Sequence, residues 1–191
     1  MNFADLVRNR QSVRSYSDRA VEPEMLEMLV ESVRLAPSAS NAQPWRLIIV
    51  DDPPVREAVA KATYSSAISF NRFVPQAPVI AVLTVEKTRT ITQIGGWMKE
   101  REFPLIDIGI AAEHFCLQAA DLGLGTCMIG WFDEQVIKQL LDIPRRTRVG
   151  LLITLGYPAD GYPLRPKVRK EVSEMYAHNS YGRSKEHSTR D

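Results

Sequence analysis

Several ingredients are scarce in this chain of 191 residues, and each scarcity removes a class of explanation. Cys116 and Cys127 are its two cysteines, too few for a disulfide framework and too far apart for a CxxC site. Their neighbours are apolar, so both read as buried free thiols, and a cytoplasmic protein is expected. No apolar run approaches the ~20 residues that span a bilayer, and "MNFADLVRNR" lacks the apolar core of a secretory signal. Excess charge of one sign is missing too. Against 24 Lys and Arg stand 23 Asp and Glu, so no global field favours nucleic acid or an anionic membrane. The histidines, His114, His178 and His187, form no HExxH motif and no His/Cys cluster, and no metal site is expected. GxSxG is absent, and "GLGTCMIG" (123–130) matches neither GxGxxG nor GxxxxGK[ST]. Zinc hydrolysis, nucleophile-elbow chemistry and the common nucleotide fingerprints therefore have no support.

What is present is ordinary globular material: 45% apolar and 25% charged residues, a length suited to one domain with a sizeable core. Phe3, Leu6, Val7 and Arg10 have helical spacing. Pro23 opens a second helix, with the stripe Leu26, Leu29, Val30 and Val33, and Pro37 closes it. "WRLIIV" (45–50), "APVIAVLTV" (77–85) and "VGLLITLGY" (149–157) read as strands, and "TCMIGWF" (126–132) as a strand running into a loop. The second is apolar without a break and is expected to be buried on both faces. "VREAVAKA" (55–62) is helical. Residues 105–122 form a helix that is apolar nearly all round, as a central core helix would be, with Gly123 as its C′ residue. Asp133 can cap a helix over "EQVIKQLL". His114, on the apolar helix, reads as a satisfied core residue. The element order predicts an α+β fold, about four strands against long helices. One domain is expected over 1–181, with a C-terminal arm over about 158–181 and a disordered tail at 182–191.

Three stretches invite a chemical reading. "RNRQSVRSYS" (8–17) concentrates arginines and serines in a nearly neutral chain. It is either a solvated helix end or an anion site, where guanidinium forks and a hydroxyl take phosphate oxygens. "APSASNAQPW" (36–45) places Ser38, Ser40, Asn41 and Gln43 between prolines, as a plain loop or as the lining of a heteroaromatic ligand. "MIGWF" follows a buried strand, and Gly130 lets backbone N–H groups approach a ligand, unless it is merely a tight turn.

Together, "RQSVRSY", "APSASNAQPW", "NRFVPQAPV", "AADLGLGTCMIGWF" and "LGYP" followed by "RPKVRKEV" resemble the nitroreductase family of FMN-dependent oxidoreductases over roughly residues 2–176. The resemblance implies a central, mostly antiparallel sheet sandwiched by helices, in a homodimer with FMN at the interface and C-terminal extensions exchanged. It implies that Arg10, Gln11 and Ser12 meet the phosphate and ribityl end, with Lys167 and Arg169 completing the phosphate site. Arg14 would approach the pyrimidine edge, and Asn71 or Arg72 the pyrimidine or ribityl chain. Pro37, Ser38, Ala39, Asn41 and Gln43 would come from the other subunit along the isoalloxazine, and the backbone of Ile129, Gly130 and Trp131 would reach its N5–O4 edge. Many larger members carry Glu-Gly where this chain has Gly130-Trp131, so an indole would narrow the open face. NAD(P)H would give a hydride to the flavin and leave, and a nitroaromatic, quinone or related acceptor would then be reduced at the same place. The cofactor carries that chemistry, so no side chain is obligatory for it. Residues 86–104 are a candidate lid, with Trp97 and Phe103 as substrate contacts, or a surface excursion that packs in the dimer. Alternatives are a flavin-binding module with little turnover, other flavin chemistry on the same fold, and a phosphate or nucleotide binder unrelated to flavin.

Overall fold

A computed structural model describes residues 1–87 and 102–181. Trp97, most of the 86–104 segment and the tail 182–191 lie outside the described residues.

The helices are α1 (Phe3–Asn9), α2 (Pro23–Arg34), α3 (Pro53–Lys61), α4 (Phe103–Asp121), α5 (Glu134–Leu140) and α6 (Val172–Met175). The strands are β1 (Trp45–Val50), β2 (Val79–Val85), β3 (Gly125–Ile129) and β4 (Arg148–Gly156). The strands form one antiparallel sheet in the order β1-β2-β4-β3. β2 and β4 occupy its centre, which is why both are apolar without alternation: a period of two sends their side chains into two different cores. Ile80 and Val82 join Val59, Ala60, Val74 and Ile137 beneath α3 and α5. Val79, Ala81 and Leu83 join Leu29, Val33, Ile108, Ala112 and Phe115 beneath α2 and α4. The expected α+β sandwich is therefore present, with its sheet between two helical layers.

Local chemistry sets the element ends. Asn2, Asp52 and Asp133 cap α1, α3 and α5 by accepting backbone N–H bonds, and Pro23, Pro53 and Pro104 lie in first turns where no N–H is missed. α4 ends in a Schellman turn: Gly123 adopts φ 77°, its N–H bonds the Ala120 carbonyl at 3.1 Å, and the Leu124 N–H bonds the Ala119 carbonyl at 2.8 Å. The chain thereby passes from α4 directly into β3. Cys116 and Cys127 are both buried, and burial pushes the thiols up, Cys116 to about 12, so neither is a thiolate near neutral pH. His114 rests its Nδ1 3.2 Å from the Ser32 carbonyl, a contact between α4 and α2. No helix among the described residues is long and apolar enough to cross a membrane.

Candidate functional site

Beyond α1 the chain is extended and held against the sheet. Ser12 forms a parallel bridge with Thr126 of β3, and the Val13 N–H bonds the Thr126 carbonyl at 2.8 Å. Two apolar anchors, Val13 and Tyr16, turn inward, while Arg14 between them is exposed. Val13 sits so close to β3 that a Cβ on Gly125 would lie 2.7 Å from its Cγ2, so glycine is required there for contact. The Tyr16 hydroxyl bonds the Val13 carbonyl at 2.9 Å and stands 2.7 Å from the Thr154 hydroxyl, which reaches the Cys127 carbonyl at 3.3 Å. That buried network joins the segment to both β4 and β3, and the desolvation drives the phenol pKa upward.

The C-terminal arm closes over the other side. Ser17 N–H bonds the Tyr157 carbonyl and Ala159 N–H the Ser15 carbonyl, each at 3.0 Å. Gln11 uses its whole amide on the arm: Nε2 donates to the Pro163 carbonyl at 2.9 Å, and Oε1 accepts the Arg165 N–H at 3.1 Å. The Tyr162 hydroxyl accepts the Arg14 N–H at 3.1 Å. The Arg165 guanidinium donates to the Ser12 carbonyl, and Lys167 Nζ to the Arg10 carbonyl.

Between segment and arm lies a cavity of about 350 Å³ lined by Arg10, Gln11, Ser12, Arg14, Arg165, Pro166, Lys167, Val168 and Arg169. No lining side chain is acidic. The crowding of cations shows at Lys167, whose pKa is pulled below the ordinary lysine range first by desolvation and then by Arg10 and Arg169. One carboxylate approaches from behind: Glu113 of α4 lies 3.4 Å from Arg10 Nε. The lining suits a multiply charged anion, since it holds four arginines, a lysine and Ser12 with little negative charge to oppose them.

None of the remaining expected residues lines that cavity, and the hydrogen bonds place them in two groups, residues 37–43 beside α4 and Asn71 with the loop after β3. After α2, residues 38–43 make a tight turn in which Ser40, Asn41 and Gln43 all take positive φ, 52°, 53° and 45°. Three non-glycine residues in that region within four positions store strain. The turn closes on itself through the Gln43 N–H to Ser38 Oγ at 2.9 Å and Gln43 Nε2 to Asn41 Oδ1 at 3.0 Å. Asp107, buried on α4, accepts the Ala39 N–H at 3.1 Å. Pro37, Asn41 and Gln43 are exposed. Asn71 is buried and spends Nδ2 on the Thr63 carbonyl at 2.9 Å and the Trp131 carbonyl at 3.3 Å, so in this chain it fixes the loop after β3. Arg72 is exposed. Ile129 is buried at the end of β3, whereas Gly130 and Trp131 are exposed, the indole at 40%. Phe103 begins α4, half-buried.

Three residues of this region escaped the sequence reading. Arg165 had a signal: Arg165, Lys167 and Arg169 alternate, and in an extended arm a period of two puts them on one side. Asp107 and Glu113 are the acids of the otherwise apolar stretch "LIDIGIAAEHF", and a carboxylate in a core helix needs a partner. Here each one reaches a different part of the candidate site.

The chain is similar to known proteins over most of its length. The model of the nitroreductase family matches residues 7–72 and 67–157. A protein of Archaeoglobus fulgidus with the provisional name NADH dehydrogenase/NAD(P)H nitroreductase is 31% identical over 159 residues, covering 81% of this chain and 84% of that one. The FMN reductase (NADPH) of Bacillus subtilis is 27% identical over 187 residues, covering 94% of this chain and 74% of its own. Among solved structures, a nitroreductase family protein from Clostridium novyi superposes with a TM-score of 0.74 at 29% identity, covering 96% of this chain and 97% of that one. With its antiparallel four-stranded sheet between helices and the arginine-serine segment on β3, the chain belongs to the nitroreductase family.

Proposed function

We propose that this chain is an FMN-dependent NAD(P)H oxidoreductase of the cytoplasm that reduces nitroaromatic, quinone or related acceptors in a ping-pong order. The observation that carries the proposal is the cavity between segment 10–14 and the arm, with five cationic residues and no acidic side chain in its lining. The donor set fits a phosphate monoester on chemical grounds, and the relatives' names supply the flavin and the nicotinamide reductant.

When bound, FMN supplies the redox chemistry, accepting a hydride equivalent and releasing electrons, so the chain needs no acid or base of its own. What the residues contribute is binding and orientation. Arg10, Ser12, Lys167 and Arg169 hold the phosphate, while Gln11 and Arg165 lock the segment to the arm so that these groups face one another. Arg14, exposed beside the cavity, offers positive charge to the pyrimidine edge, where negative charge accumulates on reduction. Residues 37–43 and the backbone of 129–131 face the ring, and Asn71 fixes the latter loop.

The ring-facing turn belongs to the other copy in a homodimer. The supporting observation is apolar surface that a lone chain leaves in water: Phe3 and Val7 on α1, Met28 and Val30 on α2, and Val168 and Val172 on the arm, the last two 90% and 69% exposed.

The test is direct. The purified chain should be yellow, sediment as a dimer, bleach with NADH or NADPH in the absence of oxygen, and recover its colour with a quinone or nitroarene. A colourless protein that FMN does not reconstitute would overturn the proposal, and a yellow protein that no nicotinamide bleaches would leave only a flavin-binding module.

A further inference from the structure

We propose that Asp107 is a positioning residue for the ring-facing turn: its buried carboxylate, through the Ala39 N–H, fixes residues 38–43 in the shape that meets the isoalloxazine. The inference rests on the reading above in which that turn lies along the flavin.

Asp107 is 3% exposed, in the second turn of a helix whose other buried residues are Ile108, Ala111, Ala112, Phe115, Cys116 and Ala119. Burying a carboxylate is costly, and packing alone would favour an aliphatic side chain there. Among the described residues its side-chain hydrogen bond goes to the Ala39 N–H, at 3.1 Å. That N–H belongs to the first residue of the turn, immediately before the positive-φ run at Ser40, Asn41 and Gln43. Asparagine tolerates this region, but Ser40 and Gln43 have no such preference, so residue choice does not remove the strain. A strained turn persists when its surroundings over-determine it. The internal bonds, Asn41 N–H to the Ser38 carbonyl and Ala42 N–H to the Ala39 carbonyl, each 3.0 Å, give the turn its curvature but do not attach it to anything. The Asp107 bond does attach it, to a helix that is itself held between α2 and the sheet.

The same bond can be cut from its donor end. Ser38 has φ −146° and ψ 157°, the extended conformation that a following proline demands, so Ala39→Pro deletes the N–H without opposing the backbone.

The experiment measures FMN and riboflavin affinity on the full chain freed of flavin, for wild type, Asp107→Leu, Asp107→Asn, Ala39→Pro and the Leu/Pro double variant. Asp107→Leu and Ala39→Pro should each weaken both ligands about tenfold, the loss expected when one partner of a buried hydrogen bond is removed. The double variant should lose little more than either alone, because both cut one bond. Asp107→Asn keeps an oxygen acceptor and should stay within about threefold of wild type. The FMN-to-riboflavin affinity ratio should not change, since the phosphate cavity is untouched. If Asp107→Leu fails to fold, Asp107→Ala takes its place, since Ala39 itself lies in the ring-facing turn and its variant alone does not isolate the bond. Unchanged affinity in Ala39→Pro, or a loss confined to FMN with riboflavin spared, would overturn the inference while leaving the flavin reading intact. Failure of wild type to bind either flavin would overturn that reading and this inference with it.

Discussion

Segment 10–17 and turn 38–43 carry half of the expected cofactor contacts, and the chain treats them differently. The first is clamped from both sides: backbone bonds tie it to β3, Val13 and Tyr16 are buried in the core, and the arm returns through Gln11, Tyr157 and Tyr162 to cover it. The second has strained dihedrals, exposed ends, and Asp107 as its hydrogen-bonded link to α4. A phosphate is recognised by fixed charges at fixed distances, so its site gains from rigidity before the ligand arrives. In the proposed dimer the turn would meet a second copy and a flat ring, partners that lie outside its own chain. The clamped part accordingly has its bonds within one chain, whereas the proposed dimer would complete the strained part.

The largest expected effect falls on the clamped side. Arg10→Ala removes a charge-assisted partner from the anion cavity and should cost FMN affinity a few kcal/mol, on the order of a hundredfold or more, while riboflavin affinity stays nearly constant. Equal losses for the two ligands would mean that Arg10 supports the ring side as well, and the division between the two regions would fail. Gly125→Ala attacks the clamp instead of the charge. Its Cβ would meet Val13 at 2.7 Å to 2.9 Å and push the segment off β3. Overpacking of this kind costs about 1–3 kcal/mol, read as a lower thermal midpoint accompanied by weaker FMN binding. An unchanged midpoint would show that segment 10–14 is not seated as described.

The same contrast explains what the sequence disclosed. Helix and strand positions followed from periodicity and from caps such as Asp133 and Gly123, because the two cores require those patterns whatever the protein does. The arginines of segment 8–17 stood out against a neutral chain, although their composition alone did not separate Arg8 from Arg10. The resemblance gave ligand roles to Arg10 and Arg14 and none to Arg8, and in the structure Arg8 pairs with Asp5 in solvent, whereas Arg10 lines the cavity with Glu113 behind it. Asp107 and Glu113 were invisible as partners because their contacts lie 68 and 103 residues away in the chain, a separation that no local pattern encodes. The positive φ values at Ser40 and Gln43 were equally hidden, since neither residue type announces a left-handed backbone.

The pH dependence sharpens the contrast by a smaller amount. Lys167 has a pKa below the usual 10.5, through desolvation and then the neighbouring Arg10 and Arg169. A bound phosphate favours the ammonium, so FMN affinity should be level just above neutral pH, where the phosphate is a dianion, and begin to fall below the ordinary lysine range. Riboflavin has no phosphate to gain from that charge, so the FMN-to-riboflavin ratio, measured from neutral to alkaline pH, isolates the effect. For stability the sign is opposite. Between the lowered folded value and 10.5 the unfolded chain binds more protons than the folded one, so folding without ligand gains as pH rises through that window. Lys167→Met should flatten both profiles, and a ratio independent of pH would remove Lys167 from the phosphate site.

The smallest effect on flavin binding is expected at Trp131, beside neither the clamp nor the strained turn. Its backbone carbonyl is held by Asn71 at 3.3 Å, a contact any residue type would make, while the indole is 40% exposed. Trp131→Gly therefore removes bulk without removing an anchor, and FMN affinity should change by less than about threefold, as for a surface substitution away from buried features. Its consequence should appear in the acceptor instead. If the indole narrows the open face, kcat/KM for bulky quinones and nitroarenes should rise relative to small ones, with the ratio between acceptors as the measured quantity. Loss of flavin from the variant would place the indole within the binding site, and the ring-facing side would then depend on this chain's own loop as much as on the turn from its partner.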